Sequence, residues 1–486
     1  MTDACDLTAS EARRLIGVKG LSPVELLESC IARIEAVDPA VNAMVTTCFD
    51  RARAEAKAAE RAVRSGDDLG VLHGLPVGIK DLSATEGVRT TYGSLLYEDH
   101  VPDADERSVA AIRAQGGIVA GKTNTPEFGA GANTTNRVFG ATGNPFDPTL
   151  TCGGSSGGSA VAVATGSVPL ASGSDFGGSL RTPASFCGVV GFRPSPGIVP
   201  NETRPVGLTP LSVQGAMART VADAALLLSA MADVDMRDPF SGLLDEDLLR
   251  PPEPVDLGSL RAAFSEDLGC APVDRDIRKV FRERTARFRA AFADAQDRDP
   301  DLGPVHDVFE ILRGVNFIAA HKERLENHRD KLGPNVIDNT ERGLRYGAAD
   351  VAWAHVEQTK LYRRFLAMFD EVDVLICPAA SVSPFPHDQL YVSEINGETM
   401  PTYMRWLAIT YGVTMATPPV AVIPCGVDHA GMPFGIQVVG ANGNDRFVLD
   451  VAHSLEQVLA GDPATARPVP DRHKLEKSAG KKAALG

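Results

Sequence analysis

The sequence is short of basic charge. Its 486 residues contain 48 lysines and arginines against 63 aspartates and glutamates, so the formal net charge is −15. Proteins that bind nucleic acids need a basic face to displace counterions from the phosphates, so this balance argues against that class. Apolar residues make up 44% of the chain, which is enough to fill a large core and excludes a largely disordered protein.

Segments that would direct the chain out of the cell or into a membrane are also missing. The first ten residues show no basic stretch followed by an apolar run, which is the pattern of a secretory signal. No run of about 18 apolar residues is present, so no membrane-spanning helix is expected. Eight cysteines without a CxxC pair indicate reduced thiols, and ten histidines without an HExxH or similar set predict no metal ion and no other cofactor. We therefore expect a cytoplasmic protein without a membrane partner.

The hydrophobic pattern predicts an α/β protein. The first 65 residues repeat apolar side chains at helical spacing, whereas residues 72–215 contain short apolar runs punctuated by glycine, which are typical of strands. Helical patterns return between residues 235 and 370, for example at 276–294, and again at 444–460. The runs that predict strands are 76–79, 118–120, 161–164, 189–192, 372–377, 420–424 and 434–439.

Three segments combine glycine, serine and lysine in an unusual way. Lys80 lies inside the apolar strand pattern 77–82, and residues 153–159 read GGSSGGS. Residues 173–184 read GSDFGGSLRTPA. Taken singly, glycine and serine runs are usual in flexible loops, and most lysines are solvated.

Two known motifs compete for the same segments. A phosphate-binding loop is disfavoured because neither GxxxxGK[ST] nor a helix-opening GxGxxG is present. Residues 154–158 formally fit GxSxG, the nucleophile elbow of α/β hydrolases, for which His429 or His453 could supply the late histidine. That match is weak evidence, because a run built only of glycine and serine meets the pattern by chance.

Taken together, the segments favour serine chemistry that uses lysine as the base. A serine hydroxyl needs a base to become a nucleophile, and a lysine held in an apolar strand is the obvious candidate. Burial would lower the pKa of Lys80 from about 10.4, because it disfavours the ammonium form. The glycines before Ser179 would let backbone N–H groups of residues 176–179 point at an oxyanion, each worth about 3 kcal/mol in the transition state.

With these segments, the chain resembles the amidase signature family of serine hydrolases. The resemblance covers about residues 5–460, and its defining block is GGSSGGS together with GSDFGGSLRTPASFCGVVGFRPSPG at 173–197. Supporting elements of the family pattern lie at 74–81, 121–128, 139–145, 211–220 and 431–437. Within the family, the chain looks like stand-alone amidases such as aryl acylamidases and the hydrolases of nylon-type cyclic oligomers.

The resemblance implies a catalytic triad of Lys80, Ser155 and Ser179. Ser179 would be the acyl nucleophile. Ser155, following a cis peptide bond, would relay the proton and later deliver it to the leaving amine, and Lys80 would be the general base.

Further residues of the block have implied supporting roles. Backbone N–H groups would form the oxyanion hole, at Phe176, Gly177, Gly178 and Ser179. Three side chains would hold the triad in place: Ser156, Asp175 and Arg181. Arg181 could alternatively bind a substrate carboxylate. Cys187 also lies in the block, where packing in the core is a better interpretation than catalysis.

The resemblance also implies the fold. We expect a large, twisted, mixed β-sheet covered on both faces by helices, in a single domain over residues 1–462. Its parts would be a helical N-terminal segment at 1–65, a catalytic core at 66–230, a helical insert at about 235–370 and a returning core at 371–462. Residues 463–486 show no periodicity, so we expect a loose C-terminal tail.

The sequence narrows the substrate to a class of amides. The A-subunit of glutamyl-tRNA amidotransferase shares the central block but usually reads SLDQ where this chain has LSVQ at 211–214, a form more often seen in stand-alone amidases. We therefore expect hydrolysis of medium-sized apolar or aryl amides through an acyl-enzyme on Ser179. Carbamates, cyclic or linear oligoamides, and the glutamine-hydrolysing role in the amidotransferase remain alternatives.

Small residues and aromatic residues are the candidates for the substrate pocket. Gly129, Ala130 and Gly131 could leave room for a bulky acyl or aryl group, and Phe176 would add an apolar contact. Aromatic pocket walls, each equally open to a plain core role, are Phe317, Phe385, Tyr391, Tyr403 and Trp406. The family's late GxPA-like element is altered to TPPV at 417–420, which leaves the far wall unassigned. The expected partner is a small amide, with a homodimer as an open alternative to a monomer.

Overall fold

The computed structural model describes residues 3–243 and 246–485, which form fourteen α-helices and fifteen strands. The helices are α1 Ala9–Gly17, α2 Pro23–Val41, α3 Phe49–Ser65, α4 Arg107–Ala114, α5 Gly157–Ala164, α6 Arg181–Cys187, α7 Val221–Met231, α8 Arg275–Thr285, α9 Val305–His328, α10 Pro334–Gly343, α11 Ala348–Met368, α12 Ala408–Thr414, α13 Asp445–Ala460 and α14 Arg472–Leu485.

The strands alternate with these helices along most of the chain. They are β1 Met44–Thr47, β2 Pro76–Lys80, β3 Ile118–Thr123, β4 Thr135–Asn136, β5 Gly140–Ala141, β6 Leu170–Asp175, β7 Val190–Arg193, β8 Val213–Ala218, β9 Arg261–Phe264, β10 Asp294–Asp297, β11 Val374–Pro378, β12 Glu394–Ile395, β13 Glu398–Thr399, β14 Val420–Val427 and β15 Pro433–Val439.

Eleven strands form one mixed sheet, in the order β1-β3-β2-β6-β8-β7-β14-β15-β11-β9-β10. The pairs β3–β2, β2–β6, β11–β9 and β9–β10 are parallel. The remaining neighbours are antiparallel. Strands from before and after residues 235–370 therefore lie side by side in the same sheet.

Both faces of this sheet are covered. Every residue is buried in β2, β3, β7, β8, β11 and β15. Successive side chains of a strand point to opposite faces, so a sheet open to solvent on one face would show alternating exposure. The structure thus has the large, mixed, doubly covered sheet that the sequence predicts. Within residues 3–243 and 246–485, no helix combines the length and the apolar character needed to cross a membrane.

One predicted strand is a helix instead. Residues 161–164 form the end of α5, which begins at Gly157. Every residue of α5 is buried, so the helix has no polar face that would give its sequence a helical period. A short, wholly apolar run reads alike for a buried strand and a buried helix, and here the strand prediction is wrong.

The segment at 235–370 is less uniformly helical than predicted. It contributes β9 and β10 to one edge of the sheet, which corrects the expectation of a helical insert. The helix predicted for 276–294 ends at Thr285. Strand β10 was not predicted because its sequence, DAQD, has no alternation of apolar and polar residues. Its residues are exposed or half-buried.

The structure also contradicts the loose tail expected from residue 463. Residues Arg472–Leu485 form α14, which packs against α2. Leu475 and Ala479, one helical turn apart, are buried in a cluster that includes side chains of α2, and Arg472 binds the carboxylate of Asp6. Two apolar contacts among many lysines are too few to produce a visible helical period.

Candidate active site

Lys80 lies at the carboxyl end of β2, among serine hydroxyls. Strands β3 and β6 flank β2 and run parallel to it, so three carboxyl ends meet at one edge of the sheet. Nζ of Lys80 donates to Oγ of Ser155 and of Ser156, at 2.8 Å each, and to Oγ of Ser174 at 3.0 Å. Burial lowers the pKa of Lys80 to about 7, although the carboxylate of Asp175 opposes the shift. Much of this amine is therefore neutral at neutral pH and can accept a proton.

Two of these serines lie directly before α5. The peptide bond between Gly154 and Ser155 is cis, and Ser156 is the N-cap residue of the helix. A Cβ atom on Gly158 would lie 2.2 Å from the backbone nitrogen of Asn124, which is closer than any side chain allows. The glycines of this segment thus serve close packing that fixes the serines, and the segment is not a flexible linker.

Ser179 lies in the turn between β6 and α6. Its carbonyl accepts a hydrogen bond from the backbone N–H of Ser156 at 3.1 Å, which places the two glycine-rich segments side by side. Its hydroxyl donates to none of the residues in the described ranges and accepts from none of them. Ser179 is half-buried, whereas Lys80 and Ser155 are buried. The structure therefore brings Lys80 and Ser155 into contact and holds Ser179 beside them with an accessible hydroxyl.

The turn at 176–179 presents backbone donors, with one correction to the predicted set. The N–H of Gly178 already donates to Oδ1 of Asp175 at 2.9 Å, and its single proton is not free for an oxyanion. The other three N–H groups of the turn donate to no residue that the structure describes, namely those of Phe176, Gly177 and Ser179. Gly178 has a φ of +122°, and a Cβ atom there would lie 2.2 Å from Oγ1 of Thr410, so this position requires glycine.

A buried ionic cluster lies next to this turn. Asp175 accepts hydrogen bonds from Nε and Nη2 of Arg181, at 3.0 Å each, and from Nη1 of Arg193 at 3.1 Å. Burial alone would raise the pKa of Asp175, but the two guanidinium groups hold it well below its usual range. Burial lowers the pKa of Arg193 to about 10, so it keeps its charge at neutral pH. The cluster therefore carries net positive charge, which favours an oxyanion nearby.

Arg181 positions the turn and has no donor left for a ligand. Besides its two bonds to Asp175, it donates through Nη1 to the carbonyl of Thr410 at 2.7 Å and to Oε1 of Gln437 at 2.9 Å. Nη2 donates to Oγ1 of Thr414 at 2.5 Å. These bonds use all five N–H groups of the guanidinium. The alternative in which Arg181 binds a substrate carboxylate is therefore wrong.

The structure supports neither a serine nucleophile elbow that uses a histidine as its base nor a cysteine nucleophile. Ser156 is the central serine of the GxSxG match, and none of its hydrogen-bond partners in the described residues is a histidine. His429 is exposed in a turn, and His453 lies on α13. Burial raises the pKa of the Cys187 thiol well above its usual value, and its Sγ donates to the carbonyl of Cys152 at 3.5 Å. Across the described ranges, no group of three histidine, cysteine or acidic side chains is arranged to hold a metal.

Of the small residues after β3 that were predicted to line the substrate pocket, Gly129 borders the site. A Cβ atom on Gly129 would lie 3.3 Å from Oγ of Ser155. Ala130 instead lines a cavity of about 180 Å³ against α10. A Cβ atom on Gly131 would lie 2.9 Å from Nδ2 of Asn335, so the space expected there for substrate is filled by α10. The assignment of Gly131 to the substrate pocket is corrected to close packing.

The aromatic candidates divide into two groups. One group surrounds Arg313 of α9, whose Cζ lies 5.5 Å from the ring centre of Phe176. Its members are Phe317, Tyr403 and, packed against Tyr403, Tyr391. The second group is a pair in the core with ring centres 5.6 Å apart, Phe385 and Trp406.

Sequence reasoning missed several residues of the site. Ser174 supplies the third hydroxyl at Lys80, and Oγ of Ser172 accepts the backbone N–H of Lys80 at 3.1 Å. Alternate residues of a strand share a face, so the spacing of Ser172 and Ser174 is the signal that could reveal them. Thr410, which donates to the carbonyl of Gly177 at 2.7 Å, comes from a helix 233 residues further along, and no local pattern links the two.

Known proteins share this fold and about a third of this sequence. A bacterial aryl acylamidase, described as one of the amidase signature enzymes, matches with a TM-score of 0.86 at 27% identity, covering 97% of this chain and 98% of that one. An acylamidase of Rhodococcus erythropolis is 34% identical over 456 residues, covering 93% of this chain and 95% of the relative. The A-subunit of the glutamyl-tRNA(Gln) amidotransferase of Picosynechococcus sp. is 32% identical over 477 residues, covering 91% and 96%.

The fold and these relatives define a hydrolase of carboxylic amides. The family model described as Amidase matches residues 25–449. The chain belongs to the amidase signature family, which confirms the resemblance carried by its glycine-serine block. It is accordingly an amidohydrolase that acts on C–N bonds.

Proposed function

We propose that the protein hydrolyses medium-sized apolar or aryl amides to a carboxylic acid and an amine through an acyl-enzyme on Ser179. Neutral Lys80 takes a proton from Ser155, which takes the proton of Ser179 as its Oγ attacks the amide carbon. The free N–H groups of the turn at 176–179 stabilise the oxyanion. Ser155 then delivers a proton to the leaving amine, and water releases the acid from Ser179.

The contact between Nζ of Lys80 and Oγ of Ser155, at 2.8 Å, carries this proposal. Among the described residues no carboxylate lies within ion-pair distance of that nitrogen, and burial lowers its pKa to about 7. A base poised near the working pH is the most effective proton acceptor. The unpartnered hydroxyl of Ser179 is compatible with this role, because catalytic hydrogen bonds often tighten only when substrate binds.

Side chains next to the turn support an apolar or aryl substrate. The half-buried ring of Phe176 packs edge to face against Phe309, with ring centres 6.2 Å apart. A Cβ atom on Gly177 would lie 3.2 Å from Phe309 and 3.5 Å from Cε of Met404. Flat apolar walls beside a nucleophile suit such groups, and the similar aryl acylamidase points in the same direction.

Replacing the nucleophile tests the mechanism. Ser179→Ala should lower anilide hydrolysis by about a thousandfold or more and abolish the mass increase that a fluorophosphonate adds to the intact protein. Ser185→Ala is the matched control: Ser185 lies in the same block on α6, where its Oγ accepts the N–H of Gly435 at 3.0 Å. It should react as the wild type does. Unchanged turnover by Ser179→Ala would overturn the assignment.

The amidotransferase relatives supply a second candidate, in which the chain hydrolyses glutamine for a partner. A panel of anilides, lactams, carbamates, primary amides and glutamine separates the two. The stand-alone amidase predicts turnover of anilides by the purified chain. Glutamine hydrolysis that appears only when the other amidotransferase chains are added, with no anilide turnover, would establish the alternative.

A further inference from the structure

Arg313 of α9 is a buried guanidinium without an anionic partner. It is 6% exposed, and its two hydrogen bonds go to neutral groups. Nε donates to Oδ1 of Asn339 at 2.8 Å, and Nη2 donates to the hydroxyl of Tyr403 at 2.7 Å. Within the described residues, no carboxylate lies within ion-pair distance of Arg313, and Nη1 has no hydrogen-bond partner.

The carboxylates that share its surroundings are already paired. Glu310 and Asp338 border the same small cavity as Arg313. Glu310 accepts from Nη2 of Arg405 at 3.1 Å, and Asp338 accepts from Nε of Arg342 at 2.9 Å. The positive charge of Arg313 is therefore not the partner of a structural acid, in contrast to the fully bonded Arg181.

Aromatic rings surround the guanidinium instead. Its Cζ lies between 4.5 and 6.0 Å from four ring centres, those of Phe176, Phe309, Phe317 and Tyr403. Ring faces attract a cation, but they do not replace the in-plane acceptors that its N–H groups require. Nη1 of Arg313, unlike the buried Nε of Arg193, is reached by solvent, so the oxygen of a ligand can also reach it and supply the missing acceptor.

Phe176 connects this arginine to the proposed nucleophile. Its ring packs against Arg313, and its backbone begins the turn that ends at Ser179. Phe309, one turn before Arg313 on α9, covers Gly177 of the same turn. The guanidinium thus packs against the ring of the residue that begins the turn carrying Ser179.

We propose that Arg313 binds a carboxylate of the substrate, so that the preferred amides carry an anionic group at one end of an apolar or aryl body. The inference rests on the proposed function, since it names the substrate of the same site. A guanidinium recognises a carboxylate through parallel N–H···O bonds, and Nη1 is free to form them. Asn339 and Tyr403 hold the guanidinium in place, and the rings contact the apolar body.

Matched substrates test this specificity. The acyl series compares para-nitroanilides of succinic, glutaric and adipic acid with neutral analogues in which an isopropyl group replaces the carboxylate. The amine series compares acetyl-para-aminobenzoate with acetyl-para-isopropylaniline. In at least one series, wild-type kcat/KM for the acid should exceed that for the neutral analogue by about tenfold to a hundredfold, the range expected for a charge-assisted hydrogen bond.

Variants of the arginine assign the preference to this side chain. Arg313→Met should remove the preference, mainly through a higher KM for the acids, and leave the neutral analogues within about threefold, since their binding uses no charge–charge contact. Arg313→Lys should keep part of the preference for acids. Arg324→Met is the control, because Arg324 lies on the same helix over the rings of Tyr97 and Phe128, away from the turn.

The outcomes separate this inference from the proposed function. Turnover of neutral anilides without any preference for acids, or an equal loss on both substrates in a folded Arg313→Met variant, overturns the role of Arg313 and leaves the amidase mechanism intact. No turnover of any anilide and no Ser179 adduct would overturn the proposed function itself.

Discussion

Two buried lysines lie on neighbouring strands, and one of them contacts serine hydroxyls. Lys80 ends β2, whereas Lys122 of β3 is in register with Ile79, so the two side chains leave the sheet on opposite faces. Lys80 contacts three serine hydroxyls. Lys122 donates to the carbonyl of Ser83 and, at 2.7 Å, to Oγ1 of Thr85.

The charges around the two lysines differ as well. Burial lowers the pKa of both, to about 7 for Lys80 and to about 8 for Lys122. Two carboxylates, Asp81 and Glu106, oppose the shift at Lys122, whereas Asp175 opposes it at Lys80 and already has two arginine partners. Burial thus makes either lysine a weaker base, but Lys80 lies against serine hydroxyls from which it can accept a proton, whereas Lys122 is held by a carbonyl and a threonine hydroxyl.

Activity should separate the two lysines most strongly. Lys80→Met should lower kcat/KM on an anilide by about a thousandfold or more, because proton transfer by a positioned base contributes up to about 10⁴-fold. Lys122→Met should stay within about tenfold per folded molecule, because Lys122 contacts no catalytic serine. Steady-state kinetics normalised to the folded fraction provides the measurement. Equal losses of kcat/KM in both variants would show that Lys80 has no catalytic role that Lys122 lacks.

The free energy of unfolding should rank the two variants in the opposite order, with the larger loss in Lys122→Met. Lys122→Met should lower the free energy of unfolding by about 1–3 kcal/mol, because it removes the hydrogen bonds to Ser83 and Thr85 and the positive charge that favours the ionised forms of Asp81 and Glu106. Lys80→Met should change it by less than about 1 kcal/mol or raise it, because it removes a costly buried amine and leaves no acid unpaired. Urea unfolding followed by circular dichroism checks both values. A larger loss in Lys80→Met would mean that its serine contacts are structural.

The pH dependence of activity should also distinguish the two lysines. Lys80 must be neutral to accept a proton, so log kcat/KM should rise by one per pH unit up to about pH 7 and then level off. Lys122→Met should retain this profile. The folded pKa of Lys80 lies below its unfolded value of about 10.4, so the unfolded chain binds more protons between the two and Lys80 makes stability rise with pH there.

That stability slope should become shallower in Lys80→Met. A wild-type rate that is flat from about pH 5 to pH 8 would show that Lys80 does not titrate during turnover.

The group around Lys80 was open to sequence analysis because its members lie in compact local patterns. A lysine in an apolar strand and serines between glycines can be recognised without knowing the fold. Apolar runs likewise predict six of the strands, whereas the mixed sheet itself is what the family resemblance implies. Two strands near the middle of the sheet, β6 and β8, contain polar residues and were not predicted. Ser174 was within reach by strand alternation but was not assigned.

Other features depend on contacts that no local pattern records. The N–H of Gly178 is taken by Asp175 only because that carboxylate turns back on its own loop. Thr410 and Arg313 arrive from distant helices, and α5 lacks a polar face because it is buried on every side. Tertiary packing determines each of these features, and the hydrophobic periodicity of the sequence gives no information about it.

The packing of α14 against α2 has a consequence for how the chain is made. Helix α2 is synthesised long before α14, which covers part of its surface. The bond between Arg472 and Asp6 joins residues that are 466 positions apart in the chain. Such a contact carries a high closure entropy and cannot assist early folding, so this face of α2 stays uncovered until α14 has been synthesised.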